Sequence, residues 1–327
     1  MPTQGEPPFK AAAAQCAGAV LMVRPEAFGF NAETATSNTF QQKPADPAER
    51  DAAAAAAAAI GEFDQLARAL SGEGVEVCVA SDSATPAKPD AVFPNNWVSF
   101  HADGTLVVYP MANASRRAER RQEIIDLALQ RTGFKVRHFL DLSWYEGQGR
   151  YLEGTGSLVL DHVQRIAYAC VSARTDADLV REWSRELKYE PVIFAAANRA
   201  CEAFYHTNVC LWIGARVAVV GAETIAGADR EHVLRRLSAG GREVITIGHE
   251  EIGRFAGNML ELSTWDEALG DSHVLVMSEN ARRGLPAETF ARISGATDTV
   301  LAVPVPTIER LGGGSVRCML VEVFSEA

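Results

Sequence analysis

The chain has 327 residues, 47% hydrophobic and 22% charged, enough to bury a substantial core in one large domain or two. Lys and Arg number 31 against 42 Asp and Glu, and the formal net charge of −11 argues against a nucleic-acid partner. The apolar stretch 11–23 is interrupted by Gln15 and is too short for a membrane span, so a cytoplasmic protein with no membrane association is expected.

The six cysteines form no C-x-x-C pair and sit in apolar segments such as Val77-Cys78-Val79, which fits reduced core thiols. Residues 1–17 mix Pro, Gly and Ala and read as a disordered or extended tail, leaving 18–327 as a single domain. A short buried strand is expected over Ala19 to Val23, ended by Arg24-Pro25. The polar stretch 28–46 carries Asn31, Glu33, Thr34, Asn38 and Gln41, and its length fits either a substrate lid or a plain surface loop.

From Asp46-Pro47 a repeating pattern begins. The alanine run 52–59 predicts a helix whose apolar face continues through Phe63, Leu66, Ala67 and Leu70, and strands are expected at 75–79, 93–100 and 106–109. A second helix is expected from near Ser115 to Arg131, with Arg116, Arg117, Arg120 and Arg121 on its solvated face; strands follow at 134–140, 157–160 and 165–170. Further helices are expected from Asp176, Asp229 and Pro286. The strands assigned to them are 191–194, 207–213 and 216–220, then 243–247, 259–262 and 273–277, then 300–303 and 317–324.

Helix starts at 51, 115, 176, 229 and 286 are 64, 61, 53 and 57 residues apart. The fifth unit lacks one strand, which the segment 19–23 can supply. Five units of a helix and three strands, latched by the N-terminus, predict an α/β fold of pseudo-five-fold symmetry, a five-bladed propeller.

Each unit's middle strand is expected to open on a polar residue: Asn96, Glu153, His206, Asn258 and Cys318, separated by 57, 53, 52 and 60 residues. In a five-fold ring, equivalent positions surround one axis, so these residues can share a pocket. Cys318 follows Gly312-Gly313-Gly314-Ser315-Val316-Arg317, a turn that lets backbone approach a ligand closely. A thiolate, an imidazole and a carboxylate gathered this way can attack an electrophilic carbon, move protons and orient the base. Taken singly, each residue is more often structural, and it is the equivalent placement that raises the joint reading. No dinucleotide fingerprint, P-loop, G-x-S-x-G elbow or H-E-x-x-H occurs, so neither a metal nor an organic cofactor is expected.

Phe93-Pro94-Asn95-Asn96-Trp97, Leu152-Glu153-Gly154-Thr155-Gly156-Ser157, His206-Thr207-Asn208-Val209 and Gly314-Ser315-Val316-Arg317-Cys318-Met319 resemble the motifs of the guanidino-modifying, or pentein, superfamily. Their order is most similar to its arginine deiminase-related branch of citrulline-utilisation hydrolases, and the resemblance runs from about Val23 to Phe324. It implies a five-bladed α/β propeller, Cys318 as nucleophile, His206 as general acid and then base, and Glu153 as the carboxylate that holds substrate nitrogen and imidazole. A homodimer is the family-level expectation.

Where arginine deiminases carry carboxylates, this chain has Asn96, Asn208 and Glu-Gly-Thr-Gly. Amides supply the donors and acceptors a neutral ureido group needs, whereas a guanidinium wants carboxylates. The expectation is therefore hydrolysis of a small amino acid, citrulline, to ornithine, carbon dioxide and ammonia. Asn95, Asn96, Asn208 and Asn258 are substrate-binding candidates, with Arg317, Arg117 or Asn31 of the 28–46 loop for the amino-acid head. The alternatives are an arginine deiminase or dihydrolase, an amidinotransferase, and a non-catalytic binding propeller.

Overall fold

The computed structural model describes residues 14–266 and 270–324. Among these residues fifteen strands build five three-stranded sheets. In chain order they are β1 (Ala19–Arg24), β2 (Glu76–Ser81), β3 (Val98–Phe100), β4 (Thr105–Val108), β5 (His138–Asp141), β6 (Val159–Asp161), β7 (Ile166–Cys170) and β8 (Glu190–Phe194). There follow β9 (Leu211–Ile213), β10 (Val217–Val220), β11 (Glu243–Thr246), β12 (Leu260–Asp266), β13 (Gly270–Ser278), β14 (Thr299–Val303) and β15 (Val321–Val323).

Every sheet has the same plan: an edge strand, an antiparallel middle strand, then a parallel third strand. A parallel partner cannot be reached by a tight turn, and this is where each helix is spent, as the crossover between the second and third strands. The expected grouping of a helix followed by its own three strands is therefore displaced by one strand. The strand after each helix completes the sheet begun before it. As expected, the chain's two ends share a sheet: β1 pairs antiparallel with β15, Ala19 opposite Val323, and parallel with β2.

The helix Ala52–Gly72 turns Ala55, Ala59, Phe63, Leu66 and Leu70 inward, one stripe at helical spacing. Burying the three large side chains is worth about 1.5–3 kcal/mol each. Asp51 caps this helix through the amides of Ala53 and Ala54, and thereby separates it from the short helix Pro47–Arg50. The second helix is likewise split, into Ala114–Arg117 and Gln122–Thr132. The reason is Arg116. Expected on a solvated face, it is only 2% exposed and reaches inward to Glu119, Asn96 and the carbonyl of Phe93.

Gln15, Cys16 and Ala17 also depart from the expected tail, for all three are buried. Gln15 donates to the carbonyls of Leu160 and Ile213 and accepts from the amide of His162 and from Arg242, tying the sheets together. The rest of that tail, residues 1–13, lies outside the described residues. All six cysteines are free, and only Cys201 is exposed rather than a core thiol. No helix among the described residues is long and apolar enough to cross a membrane.

Candidate active site

The five repeated polar residues do not lie on strands. Each occupies the turn leading into the first edge strand of its sheet, not the middle strand. Asn96 ends the turn Pro94–Asn96 before β3, and Glu153 precedes Gly154–Ser157 before β6. His206 precedes Thr207–Val209 before β9, Asn258 stands two residues ahead of β12, and Cys318 lies in Val316–Met319 before β15. The strands therefore begin later than the apolar pattern suggested.

The turns touch one another in cyclic order. Asn95 donates to Thr155 Oγ1 at 3.3 Å, Thr207 Oγ1 donates to the Ser157 carbonyl at 2.6 Å, and Asn258 donates to the Asn208 carbonyl at 3.0 Å. The amide of Arg317 donates to Asn258 Oδ1 at 3.1 Å, and the turn holding Cys318 packs back on Pro94–Asn96. Glycines permit the close approach: a Cβ on Gly154, whose φ is +47°, would lie 2.2 Å from the Asn95 carbonyl oxygen. One on Gly156 would lie 2.5 Å from Asn96 Nδ2 and 2.6 Å from His206 Nδ1.

Glu153 is fully buried. Its Oε1 accepts from the amide of Ala112 at 3.0 Å, and its Oε2 meets His206 Nε2 at 2.8 Å and the guanidinium of Arg174 at 3.5 Å. Burial opposes ionisation, but Arg174, the hydrogen bond with His206 and Arg116 outweigh it and hold the carboxyl down to about 2. Burial in turn holds the His206 imidazole down to about 4 against the pull of Glu153. At neutral pH the pair is thus a carboxylate and an uncharged imidazole. A carboxylate only accepts, so Nε2 carries the ring proton and Nδ1 is left with a bare lone pair. That nitrogen is buried and has no partner among the described residues.

Cys318, 3% exposed, has amides around its sulfur: Asn258 Nδ2 at 3.3 Å and Asn208 Nδ2 at 3.6 Å. The thiol and His206 line a narrow cavity with Thr34, Asp90, Asn96, Arg116 and Arg174. A wider surface groove beside Phe40, Arg254 and Arg283 shares no lining residue with it. The cavity, not the groove, holds the reactive groups.

The 28–46 loop lines the cavity through Thr34 and Asn38. Arg174 donates to the Thr34 carbonyl at 2.8 Å and to Ser37 Oγ at 3.0 Å, and its guanidinium lies 5.0 Å from the centre of the Tyr205 ring. Asn31 and Thr34 donate to Asp90, and Asn38 donates to the carbonyl of Gly313, which also accepts from Tyr205 Oη at 2.6 Å.

Two residues suggested for the amino-acid head point elsewhere. Arg317 turns to the Leu320 carbonyl and Glu322, on the far side of its turn; Arg117 reaches Met111 and Glu146 and lines no part of the cavity. Asn31 lines no part of the cavity but donates to Asp90, which does. Asn96 is itself oriented, its Oδ1 accepting from Arg116 at 2.6 Å and its Nδ2 donating to Asn95. Sequence reasoning missed Asp90, Arg116, Arg174 and Tyr205. Arg174 gave the one signal, a long cation in a short polar turn between the buried strand Ile166–Cys170 and the helix Ala177–Leu187.

Repeated sheets, and a cysteine, histidine and glutamate met across their turns, define a member of the guanidino-modifying, or pentein, superfamily. Residues 24–325 match the family described as N,N dimethylarginine dimethylhydrolase, eukaryotic, and the chain belongs to that family. No curated protein matches the sequence. Among solved structures, the substrate-bound N-terminal domain of ArgZ, an arginine dihydrolase from the ornithine-ammonia cycle in Cyanobacteria, is 15% identical with a TM-score of 0.71. That match covers 94% of this chain and 98% of that one. Intact ArgZ gives the same identity and score, but this chain spans only 41% of its length. A dimethylarginine dimethylaminohydrolase variant in adduct with S-methyl-L-thiocitrulline is 18% identical with a TM-score of 0.61, covering 93% and 98% of the two chains. At these identities the likeness speaks for the fold.

Proposed function

We propose that the chain is a cofactor-independent thiol hydrolase of the ureido carbon of a small amino acid, with citrulline as substrate, acting from a closed five-bladed propeller. The observation that supports this reading is the surroundings of the thiol: two asparagine amides bond the Cys318 sulfur, and Glu153, behind His206, is already engaged by His206 and Ala112, while the cavity's own carboxylate, Asp90, is held by Asn31 and Thr34. Amides beside the sulfur suit a neutral group that both donates and accepts.

His206 Nδ1 takes the thiol proton as Cys318 Sγ attacks the ureido carbon. The imidazolium, stabilised by Glu153, passes that proton to the departing δ-nitrogen, releasing ornithine and leaving an S-carbamoyl enzyme. Water, deprotonated by His206, then attacks the thioester carbon; the thiolate leaves and regains the proton, and carbamate decays to carbon dioxide and ammonia. Arg174 binds the substrate carboxylate when it exchanges its loop contacts for it, and Asp90 faces the α-ammonium.

A second reading, hydrolysis of a guanidino carbon, is favoured by the family match. There Asp90, which lines the cavity, and Glu153, behind His206, are the carboxylates nearest the cation. Product analysis separates the two. Citrulline hydrolysis yields ornithine with one ammonia, arginine deimination yields citrulline, arginine dihydrolysis yields ornithine with two ammonia, and dimethylarginine yields citrulline and dimethylamine. Turnover of arginine or dimethylarginine with citrulline left untouched would overturn the first reading. Full turnover by Cys318→Ala would overturn both.

A further inference from the structure

Cys16, Glu261 and His273 bring a thiol, a carboxylate and an imidazole together away from the Cys318 cavity, with their ligand atoms all within 4.8 Å of one another. Glu261 pairs with Leu275 and Ser263 with His273 across the β12–β13 hairpin, so Glu261 and His273 are diagonal neighbours on one face. Their Oε1 and Nδ1 atoms lie 3.2 Å apart. The strap before β1 crosses the same hairpin: the amide of Ser263 donates to the Ala17 carbonyl and its hydroxyl to that of Cys16. Cys16 is thereby held over the pair.

Glu261 is 2% exposed and forms no ion pair with Lys or Arg among the described residues; its only cationic partner there is His273. Its second oxygen accepts from the amide of Ala215 at 2.7 Å, which fixes the carboxylate and leaves Oε1 for another partner. A buried carboxylate with so little counter-charge is costly, and a cation beside it offsets that cost. The His273 side chain is 31% exposed, so the cluster opens to solvent on one side.

We propose that Cys16, Glu261 and His273 form a binding site for a divalent transition-metal ion of the zinc class. One sulfur, one nitrogen and one oxygen donor suit such a borderline-soft ion, and three protein ligands leave a fourth position for water. Bond lengths of about 2.0–2.3 Å require the three side chains to draw together by rotamer adjustment. Binding displaces the thiol proton of Cys16 to solvent, and the metal bonds to His273 Nδ1 and Glu261 Oε1, which now face each other. The ion would clip the N-terminal strap to the β12–β13 hairpin just ahead of β1. Sequence spacing could not show this, since one ligand stands 245 positions before the next. The proposal is independent of the reaction at Cys318.

The test is a cobalt(II) titration of the metal-free Cys318→Ala chain, which removes the other reactive thiol from the readout. A sulfur-to-cobalt charge-transfer absorption saturating at one equivalent is expected, lost in Cys16→Ser and formed about tenfold or more weakly in His273→Asn and Glu261→Gln. Zinc(II) should compete for the cobalt and raise the melting temperature of the parent but not of Cys16→Ser. Because His273 is partly exposed, its replacement tests the site even where a core change disturbs folding. Absence of the absorption, or an absorption unchanged by Cys16→Ser, overturns the proposal.

Discussion

Replacing Glu153 by Gln changes no volume but asks one oxygen to do the work of two. In the native site Oε1 accepts from the Ala112 amide and Oε2 from His206 Nε2. If the glutamine oxygen faces His206, its NH2 meets the Ala112 N–H, and a buried donor is left unpaired. If it faces Ala112, its NH2 meets His206, and the ring proton must move to Nδ1, filling the lone pair that is to take the thiol proton. Either arrangement costs about 1–3 kcal/mol in the fold. Losing the carboxylate also leaves Arg174 and Arg116 with less counter-charge, and breaking a buried pair costs about 3–5 kcal/mol. Arg116 keeps Glu119, and Arg174 keeps its loop contacts, which argues for the lower part of that range.

The net expectation is a fold weakened by about 4–6 kcal/mol, about 1–3 for the unpaired donor and about 3 for the broken pair, read as a shift in the urea midpoint at constant slope. The kcat for citrulline should fall about 10²–10⁴-fold. Nitrogen-15 spectra of the histidine ring should place the wild-type proton on Nε2. Wild-type turnover by Glu153→Gln, or a resting proton on Nδ1 in the native enzyme, would falsify this account of how the base is set.

Gly156→Ala drives a methyl against Asn96 Nδ2 and His206 Nδ1, so a stability loss of about 1–3 kcal/mol and a fall in kcat of at least tenfold are expected from melts and steady-state rates. Asn258→Asp places a carboxylate beside the sulfur; the arginine-to-citrulline ratio of kcat/KM should rise, and an unchanged ratio would remove the amides from the specificity argument. Arg174→Met should raise KM and speed proteolytic cleavage within 28–46, because the loop loses two anchors. Burial holds His101 and His206 down to about 4, and His162 well below its usual value, so from about pH 6.5 downward the unfolded chain takes up protons that these folded groups refuse. Glu119, pushed up to about 7 by burial, acts in the opposite sense, as do Asp90, Glu62, Glu309 and Glu322, raised by burial, and His273, raised by its hydrogen bond with Glu261. The His206 share is isolated by difference: between pH 6.5 and 4 His206→Asn should lose less stability, or gain more, than the parent, as followed by denaturant melts.

The repeat was legible because each unit spends similar residues on similar jobs: a helix start at Asp176, apolar runs such as Val217–Val220, and a polar residue between them. The phase of the repeat was not, since apolar periodicity marks a strand without saying which neighbour it bonds. Cys318, His206 and Glu153 stood out as chemically unusual residues at matching positions. Arg116 did not, because its neighbours Arg117, Arg120 and Arg121 are all more exposed and a run of arginines looks like solvent-facing charge. Burial of one member in four depends on Asn96 and the Phe93 carbonyl, which arrive from another turn.

One arginine links the loop to proton affinity. Arg174 spans Glu153 and the 28–46 loop, touching Glu153 with one nitrogen and the loop with two others. It lowers the carboxyl of Glu153, and it also lowers the imidazole of His206. Removing its charge, as in Arg174→Met, would therefore raise both, so the loop contact and the two proton affinities are consequences of where one guanidinium sits.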